Sequence, residues 1–367
     1  MERLNGNRTR LVVVGVVAAM VVGGGSAKAD FTFGEPTNLG PTLNSAYKDY
    51  WPWISSDGLS LYFGSNRPDT SGERDIWVST RTTTEDDWGT PVNLGPPVNG
   101  PFSDSVARIS TDELELYFAS DRPPGSTGIE DIWVSRRASK SDVWGEPVNL
   151  GSPINSSTHD WGACLSADGL ELYFNSMRSG GFGRHDIYVS TRPTSIDDWG
   201  APINLGPPVN SSNYDIAPCI SSDGLCLFFC DEPRWNPRAG GFGNGDIWLA
   251  RRATIDDTWN EPVNLGATVN TSDVEYAPCI SFDGSMLYFN SNRPGGLGDA
   301  DIYQAPIIPI VDLNGDGIVD AIDMCIMVDN WGTDNSLCDI GPMPWGDGVV
   351  DVQDLIVLAK HLFEEFP

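Results

Sequence analysis

A twelve-residue phrase recurs through this chain and limits its fold more than any other feature. It reads WGTPVNLGPPVN at 88–99, WGEPVNLGSPIN at 144–155, WGAPINLGPPVN at 199–210 and WNEPVNLGATVN at 259–270, with FGEPTNLGPTLN at 33–44. A second phrase, DIWVSTR and its variants, begins at Asp75, Asp131, Asp186, Asp246 and Asp301. A third, SSDGLSLYFGSNR at 55–67, is echoed from Ser110, Ser166, Ser221 and Ser281. Copies lie 55 or 56 residues apart, with one interval of 60.

Each copy predicts four short strands. One ends at the Ser before an Asp-Gly turn. Next come an alternating apolar strand such as LSLYF (59–63), then DIWVS, then PVNLG. Asp-Gly between apolar runs is a hairpin signal. Four-stranded units repeated around an axis make a β-propeller, because one unit alone cannot bury both its faces. The last unit, about 271–305, has no PVNLG strand after it, and the first such strand, 33–40, has no unit before it. Residues 33–40 are therefore expected to supply the outer strand of the last blade. The expected fold is all-β: a five-bladed propeller of four-stranded blades over 30–306, closed by an N-terminal strand. A linear solenoid, the alternative, would leave two sheet edges exposed. The order S-x-D-G-x-x-L-Y-F, then S-N/D-R, a Gly-rich turn and D-I-W/Y, as in SNRPGGLGDADIY (291–303), resembles the WD40-like (PD40) repeat of TolB-type propellers over about 30–309. That resemblance implies a fold, not a function.

Two sets of polar residues recur. Asp75, Asp131, Asp186, Asp246 and Asp301 open the third strand, while Arg67, Arg122, Arg178 and Arg293 follow the second. They are expected to face each other across the hairpin, as a ligand clamp or as pairs that fix the fold. Blade four departs, with the longer loop CDEPRWNPRAGGFGNGD at 230–246. A second set of acids, Asp49, Asp104, Asp160, Asp215 and Glu275, precedes each innermost strand. With Trp51, Trp161 and Tyr276 nearby, this set is a candidate ring at the channel mouth, to hold a cation or stack sugar rings. Turn capping by Asp is the plainer reading. No catalytic residue is assigned. A hydrolase would need two carboxyl groups in unlike environments about 5–10 Å apart, and these acids look alike. His159, His185 and His361 form no triad with a Gly-flanked Ser.

The end of the chain is different. DLNGDGIVDAID (312–323) offers Asp312, Asn314, Asp316, the Ile318 carbonyl, Asp320 and Asp323 as oxygen ligands for Ca²⁺, with Gly317 at the sharp turn. A second, weaker loop offers Asp347, the Val349 carbonyl, Asp351 and Asp354, with Asp339 entering through a longer segment. Ile322, Cys325, Ile326 and Met327 predict one helix after the first loop. Val352, Leu355, Ile356, Ala359 and Leu362 predict another after the second. Two loop-helix units resemble a type I dockerin over 310–365, a small α-helical domain with EF-hand-like loops. That resemblance implies calcium-dependent folding and a cohesin-like partner protein. The family's Ser-Thr at loop positions 10 and 11 is replaced by Ala321-Ile322 and Val352-Gln353, which puts the partner class in question. Residues 307–311 are read as a linker and 312–367 as the dockerin-like domain. A calcium-stabilised cap without a partner is the alternative.

The first 29 residues hold a basic start, the apolar run LVVVGVVAAMVV (11–22) and Ala27-Lys28-Ala29. This is the pattern of a signal peptide, with cleavage expected after Ala29; a retained anchor is the alternative. The expected location is extracellular or at the cell surface, with no membrane span in the mature chain. Formal net charge is −29, which argues against nucleic acid as a partner. The seven cysteines are an odd number, and Cys325 and Cys338 are placed to bridge. The expected function is an exported binding protein whose propeller recognises a carbohydrate or protein ligand. A polysaccharide-degrading glycoside hydrolase in a cellulosome-like system is the alternative.

Overall fold

The computed structural model describes residues 31–123, 130–231, 238–333, 335, 337–341 and 349–363. The expected leader 1–29 and the candidate ligand Asp347 lie outside them. Five antiparallel sheets form the five blades. Their innermost strands are Asp49–Ile54, Asp104–Ile109, Asp160–Leu165, Asp215–Ile220 and Glu275–Ile280. The second strands are Ser60–Ser65, Glu115–Ser120, Glu171–Ser176, Cys226–Asp231 and Met286–Ser291. They are almost wholly buried, because neighbouring blades cover both faces. The third strands begin at or just after the recurring Asp, and two-residue outer strands such as Val92–Asn93 complete each blade.

The recurring phrases are explained by what their side chains bond. In blade one, Asn93 donates from Nδ2 to Asp75 (2.7 Å), and its Oδ1 accepts from the Gly95 amide. Asn99 grips the Ile76 backbone on both sides, accepting from its N–H at 2.9 Å and donating to its carbonyl at 2.8 Å. The same clasp recurs at Asn155, Asn210, Asn270 and Asn44. The Trp of each W-G lies under an Arg that follows the third strand. Arg81 sits 4.3 Å above Trp88, and Arg137, Arg192 and Arg252 repeat the stack on Trp144, Trp199 and Trp259.

The ring closes as the phrase order requires. Thr37 and Asn38 pair with Gln304 and Tyr303 of the last blade. The closure goes further than expected. Phe31–Phe33 add a fifth strand, paired with Ile307–Pro309, so the third strand of this blade runs from Asp301 to Pro309. The segment read as a linker from 307 is thus mainly strand, while Val311 is already buried in the core of the tail.

In the tail, helix Ala321–Asp329 starts at Asp320 and helix Val352–Lys360 at Asp351, each with a reciprocal capping box to the acid three residues on. The two halves are bridged by Gly332 N–H to Val350 C=O and Val350 N–H to Thr333 C=O, both 2.8 Å. The helical faces differ from expectation. Ile322, Val352 and Ile356 are more than half exposed, and Cys325 is exposed. The buried residues are Asp323, Met327, Asp354, Val357 and Leu358. The N3 acids turn inward to bind loop amides, so the face three and four residues beyond them meets the core. No disulfide is present among the described cysteines, and Cys325 and Cys338, which could have bridged, are both free thiols.

Removal of residues 31–44 takes away Leu43, which is fully buried, together with Phe31, Phe33 and Leu39. The truncated chain should lose at least about 3 kcal/mol of stability, read as a lower denaturant midpoint. An unchanged midpoint would show that these strands do not hold the ring.

Candidate functional site

The five recurrent acids at the inner strands are buried, each 0 % exposed. Each is the counter-charge of an Arg in its own blade: Asp49 with Arg67, Asp104 with Arg122, Asp160 with Arg178 (2.9 Å), Asp215 with Arg238 (2.7 Å) and Glu275 with Arg293 (3.2 Å). The partner expected for these arginines was the Asp75 series, and the structure corrects it. Asp75 already accepts from the Ser71 amide and from Asn93. The guanidinium therefore reaches back to the inner strand, where it also donates to the carbonyl before the recurring Asn, as Arg67 does to Leu43. All five acids accept the amide of the loop residue four positions earlier, as Asp49 does from Ser45 at 2.6 Å and Glu275 from Thr271. Burial pushes the Asp104 and Asp215 carboxyls up, against the pull of Arg122 and Arg238. Arg238 was hidden from sequence reasoning because the long blade-four loop moves it 23 residues from its acid, where Arg67, Arg122, Arg178 and Arg293 stand 18 away.

The aromatic members lie elsewhere. Trp51, Trp161 and Tyr276 line a cavity of about 1110 Å³ to which all five blades contribute, so it lies over the propeller axis. The five buried acids are not among its lining residues. Trp51 packs edge-on against Trp161 (4.7 Å between rings) and Tyr276 (4.6 Å), closing the floor. The inner strands bulge here. Trp51, Val106, Gly162, Ala217 and Ala277 occupy one equivalent position with φ between 53° and 70°, each beside a register shift. A positive φ at Trp and Val is costly. Two of these bulges are tied to a neighbouring blade, Trp51 N–H to Asn290 (3.3 Å) and Ala217 N–H to Asn175 (3.2 Å).

Above the floor the five-fold symmetry breaks. The residue before each third-strand Asp is Arg74, Glu130, His185, Gly245 or Ala300. Four of these bridge to the residue before the next inner-strand acid, among them Arg74 to Ser103 and His185 to Tyr214. The Glu130 carbonyl accepts from Asp160 next to His159. Arg74 and Glu130 form an ion pair at 3.3 Å, with Glu130 only 21 % exposed. Burial pushes the Glu130 carboxyl up, while Arg74 and His159 pull it down. His185 meets Trp161 edge-on (5.7 Å) and lies tilted against Tyr214 (5.3 Å), and burial lowers it to about 4, so its ring is neutral at pH 7. Sequence reasoning missed Arg74, Glu130 and His185. Aligning the five repeats would have exposed them, because a position that differs in every copy stands directly before the recurring Asp-Ile.

In the tail, Asp312 accepts from the amides of Gly315 (2.8 Å), Asp316 (3.2 Å) and Gly317 (2.8 Å), wrapping the loop around its carboxylate. Gly315 and Gly317 supply φ of 72° and 88°. Asp323 is fully buried, with its oxygens taken by the amides of Leu313, Asn314 and Asp320. Asp354 does the same for Ile340, Gly341 and Asp351. The match sets Ile340 against Leu313, and so Asp339 against Asp312. Residues 311–367 carry twelve acids and one Lys. Among the described residues no three such acids are gathered closely enough to hold a metal ion, because the carboxylates of Asp312, Asp323 and Asp354 turn to loop amides.

No protein-family model matches the chain, and no curated protein matches it in sequence. Solved structures do. An α-L-arabinofuranosidase from Lactobacillus brevis is 14 % identical, with a TM-score of 0.51 over 73 % of this chain and 92 % of that one. TolB from Acinetobacter baumannii is 13 % identical, with a TM-score of 0.46, over 72 % of this chain. The present chain spans 56 % of that TolB's length. A family 117 glycoside hydrolase from Zobellia galactanivorans is 12 % identical, with a TM-score of 0.47 over 77 % and 92 %. At these identities the likeness is one of fold.

Replacing Asp104 with Ala leaves Arg122, 8 % exposed, as a buried charge without its carboxylate. The variant should lose about 3–5 kcal/mol in denaturant unfolding. A loss below about 1 kcal/mol would mean that the pair is not structural.

Proposed function

We propose that the propeller is a carbohydrate-binding head and that the tail is a calcium-folded docking module of an exported protein. The observation that carries the first half is the axial cavity. It joins aromatic edges, the side chains of Asn66, Asn244 and Asn292, and the Arg74–Glu130 pair where the repeats stop being alike. Saccharides present apolar C–H faces and many hydroxyls, which such a mixture suits. A protein ligand is the other partner class considered for this head, and a concave site of about 1110 Å³ favours the smaller one. A glycoside-hydrolase reading is supported by one observation: Glu130, its carboxyl raised by burial, shares the cavity with Glu73 and Asp299. The whole chain should be screened on a glycan array and, in parallel, for release of reducing ends. Binding without turnover is expected, weakened about tenfold, or roughly 1.4 kcal/mol, by Tyr276→Ala. Turnover that Glu130→Gln abolishes would favour the hydrolase, and neither binding nor turnover would sink both readings.

For the tail, Asp312, Asn314, Asp316, Asp320 and the Ile318 carbonyl would hold Ca²⁺ in the first loop, with Asp323 closing the loop behind them. Asp339, Asp347, Asp351, Asp354 and Val349 form the weaker second set. Bound calcium supplies the positive charge that this acidic segment lacks, coupling binding to folding. The exposed apolar side chains of Ile322, Val352 and Ile356 support a docking face for a cohesin-like protein. The leader pattern and the calcium loops together support secretion or display at the cell surface. In limited proteolysis of the whole chain, chelator should open cleavage within 311–363 and added Ca²⁺ should close it. Asp312→Ala should remove that protection. Equal cleavage with and without calcium would overturn the calcium reading.

A further inference from the structure

The seams between blades repeat as the blades do, and two of them differ at one position. Between blades four and five the buried cluster includes Leu249 and Val269, and Leu265, Phe31 and Phe33 pack against it. Between blades two and three the same repeat positions hold Val134 and Ile154, and Leu150 and Trp199 pack against their cluster. Leu150 stands where Leu265 does. Trp199 opens its twelve-residue phrase as Phe33 opens the first one. Phe31 has no apolar counterpart, because its place two residues earlier falls to Asp197. That side chain is exposed, and its carboxylate accepts from Thr194 Oγ1 in its own loop at 2.7 Å.

The contacts of Phe31 show what the other seam lacks. Its ring centre lies 4.6 Å from the guanidinium of Arg251, the last residue of the third strand of blade four. The ladders set Thr80, Arg136, Thr191 and Pro306 at the equivalent place in the other blades. Blades two and four alone therefore present an Arg there, and only the one in blade four is covered by a ring. Arg136 donates from Nε to Glu115 at 2.7 Å, and its side chain is 53 % exposed. A guanidinium bonded through its edge keeps its two faces for stacking. Arg136 lines a groove of about 1160 Å³ between blades two and three, together with Val134, Val148, Leu150 and Trp199.

We propose that this groove docks an extended peptide segment of a partner protein, whose aromatic side chain takes the place that Phe31 fills between blades four and five. The molecule's own occupant of the equivalent place is a peptide strand, Phe31–Phe33, which favours a peptide over a saccharide. An aromatic ring would stack on Arg136 as Phe31 does on Arg251. Charge selects the residues beside it. Asp112, Asp168, Asp197 and Asp198 are exposed and line the groove, whereas Arg136 and Arg192 are both paired with Glu115 (2.7 and 3.3 Å). A segment with Lys or Arg next to its aromatic residue meets these carboxylates, and an acidic one is repelled. Val148 and Ile196, 56 % and 93 % exposed, add apolar surface to the walls. The groove shares no lining residue with the axial cavity, so the proposal does not rest on the carbohydrate reading.

The test titrates the full chain against a capped, fluorescently labelled peptide, Lys-Phe-Thr-Phe-Lys, and reads anisotropy. Saturable binding is expected below about 1 mM, and a peptide with Ala in place of both Phe should bind at least about tenfold more weakly. Asp197→Phe should supply the missing ring from within the chain and weaken the Phe peptide at least about tenfold. Asp197 is exposed, so the denaturant midpoint of that variant should not fall. Arg136→Gln should weaken binding about three- to tenfold. The Ala peptide tests the same contact without altering the protein, which guards against a misfolded variant. No saturable binding, equal binding of the two peptides, or equal binding to wild type and Asp197→Phe would overturn the proposal. So would an oligosaccharide that occupies the groove in place of the peptide and is blocked by Asp197→Phe.

Discussion

Every blade depends on one buried ion pair. An acid at the head of the inner strand binds the amide of the loop before it and the Arg that ends the second strand. That single carboxylate ties loop, inner strand and second strand together. Buried pairs of this kind contribute little over an apolar substitute, but losing one partner is costly. Their value lies in specification. The acid accepts in directions that only one loop path satisfies, and the Asn clasp on the third strand does the same from the other side. Five repetitions fix five loops in register around one axis.

The repeats explain how much could be read from the sequence. Strand number, blade number and closure by residues 37–38 follow from the order of the phrases, because a propeller leaves that order few alternatives. Side-chain partnerships were harder. Ser65 and Asp75 face each other in the ladder, so Arg67 looked like a partner for Asp75. What decides against it is saturation, since Asp75 is filled by Asn93 and turn amides. Recurrence of the acids near the channel suggested a ligand ring, but a repeated letter does not say which side of the loop its side chain takes. The fifth strand at Phe31–Phe33 carries no repeat signal, because nothing corresponds to it in the other blades.

Positions that are alike hold the fold, and positions that differ line the cavity. The same backbone bulge recurs in all five inner strands, yet its occupants are Trp51, Val106, Gly162, Ala217 and Ala277. The cost is carried even by a β-branched Val. At Gly162 an added Cβ would lie 2.2 Å from Asn175 Oδ1, so this member of the ring is fixed by its neighbour. One layer down, Trp53, Arg108 and three cysteines replace each other in the same way. The axis is where the repeats diverge, since a residue there meets four non-identical partners and the constraint of a single packing partner is lost.

The two modules handle negative charge in opposite ways. The chain carries −29 in all, and residues 311–367 carry −11, twelve acids against one Lys, which leaves −18 for the rest. In the propeller the acids that matter for folding bring their own cations, one Arg per blade. In the tail the equivalent acids face backbone amides at Asp323 and Asp354, while Asp312, Asp316 and Asp320 share one short loop without any Arg, Asp312 and Asp320 also accepting backbone amides. Like charges at such range repel strongly unless a cation joins them. The head can therefore reach its fold from its own sequence. On the calcium reading proposed above, the tail would take from solution the positive charge that the propeller takes from its own arginines.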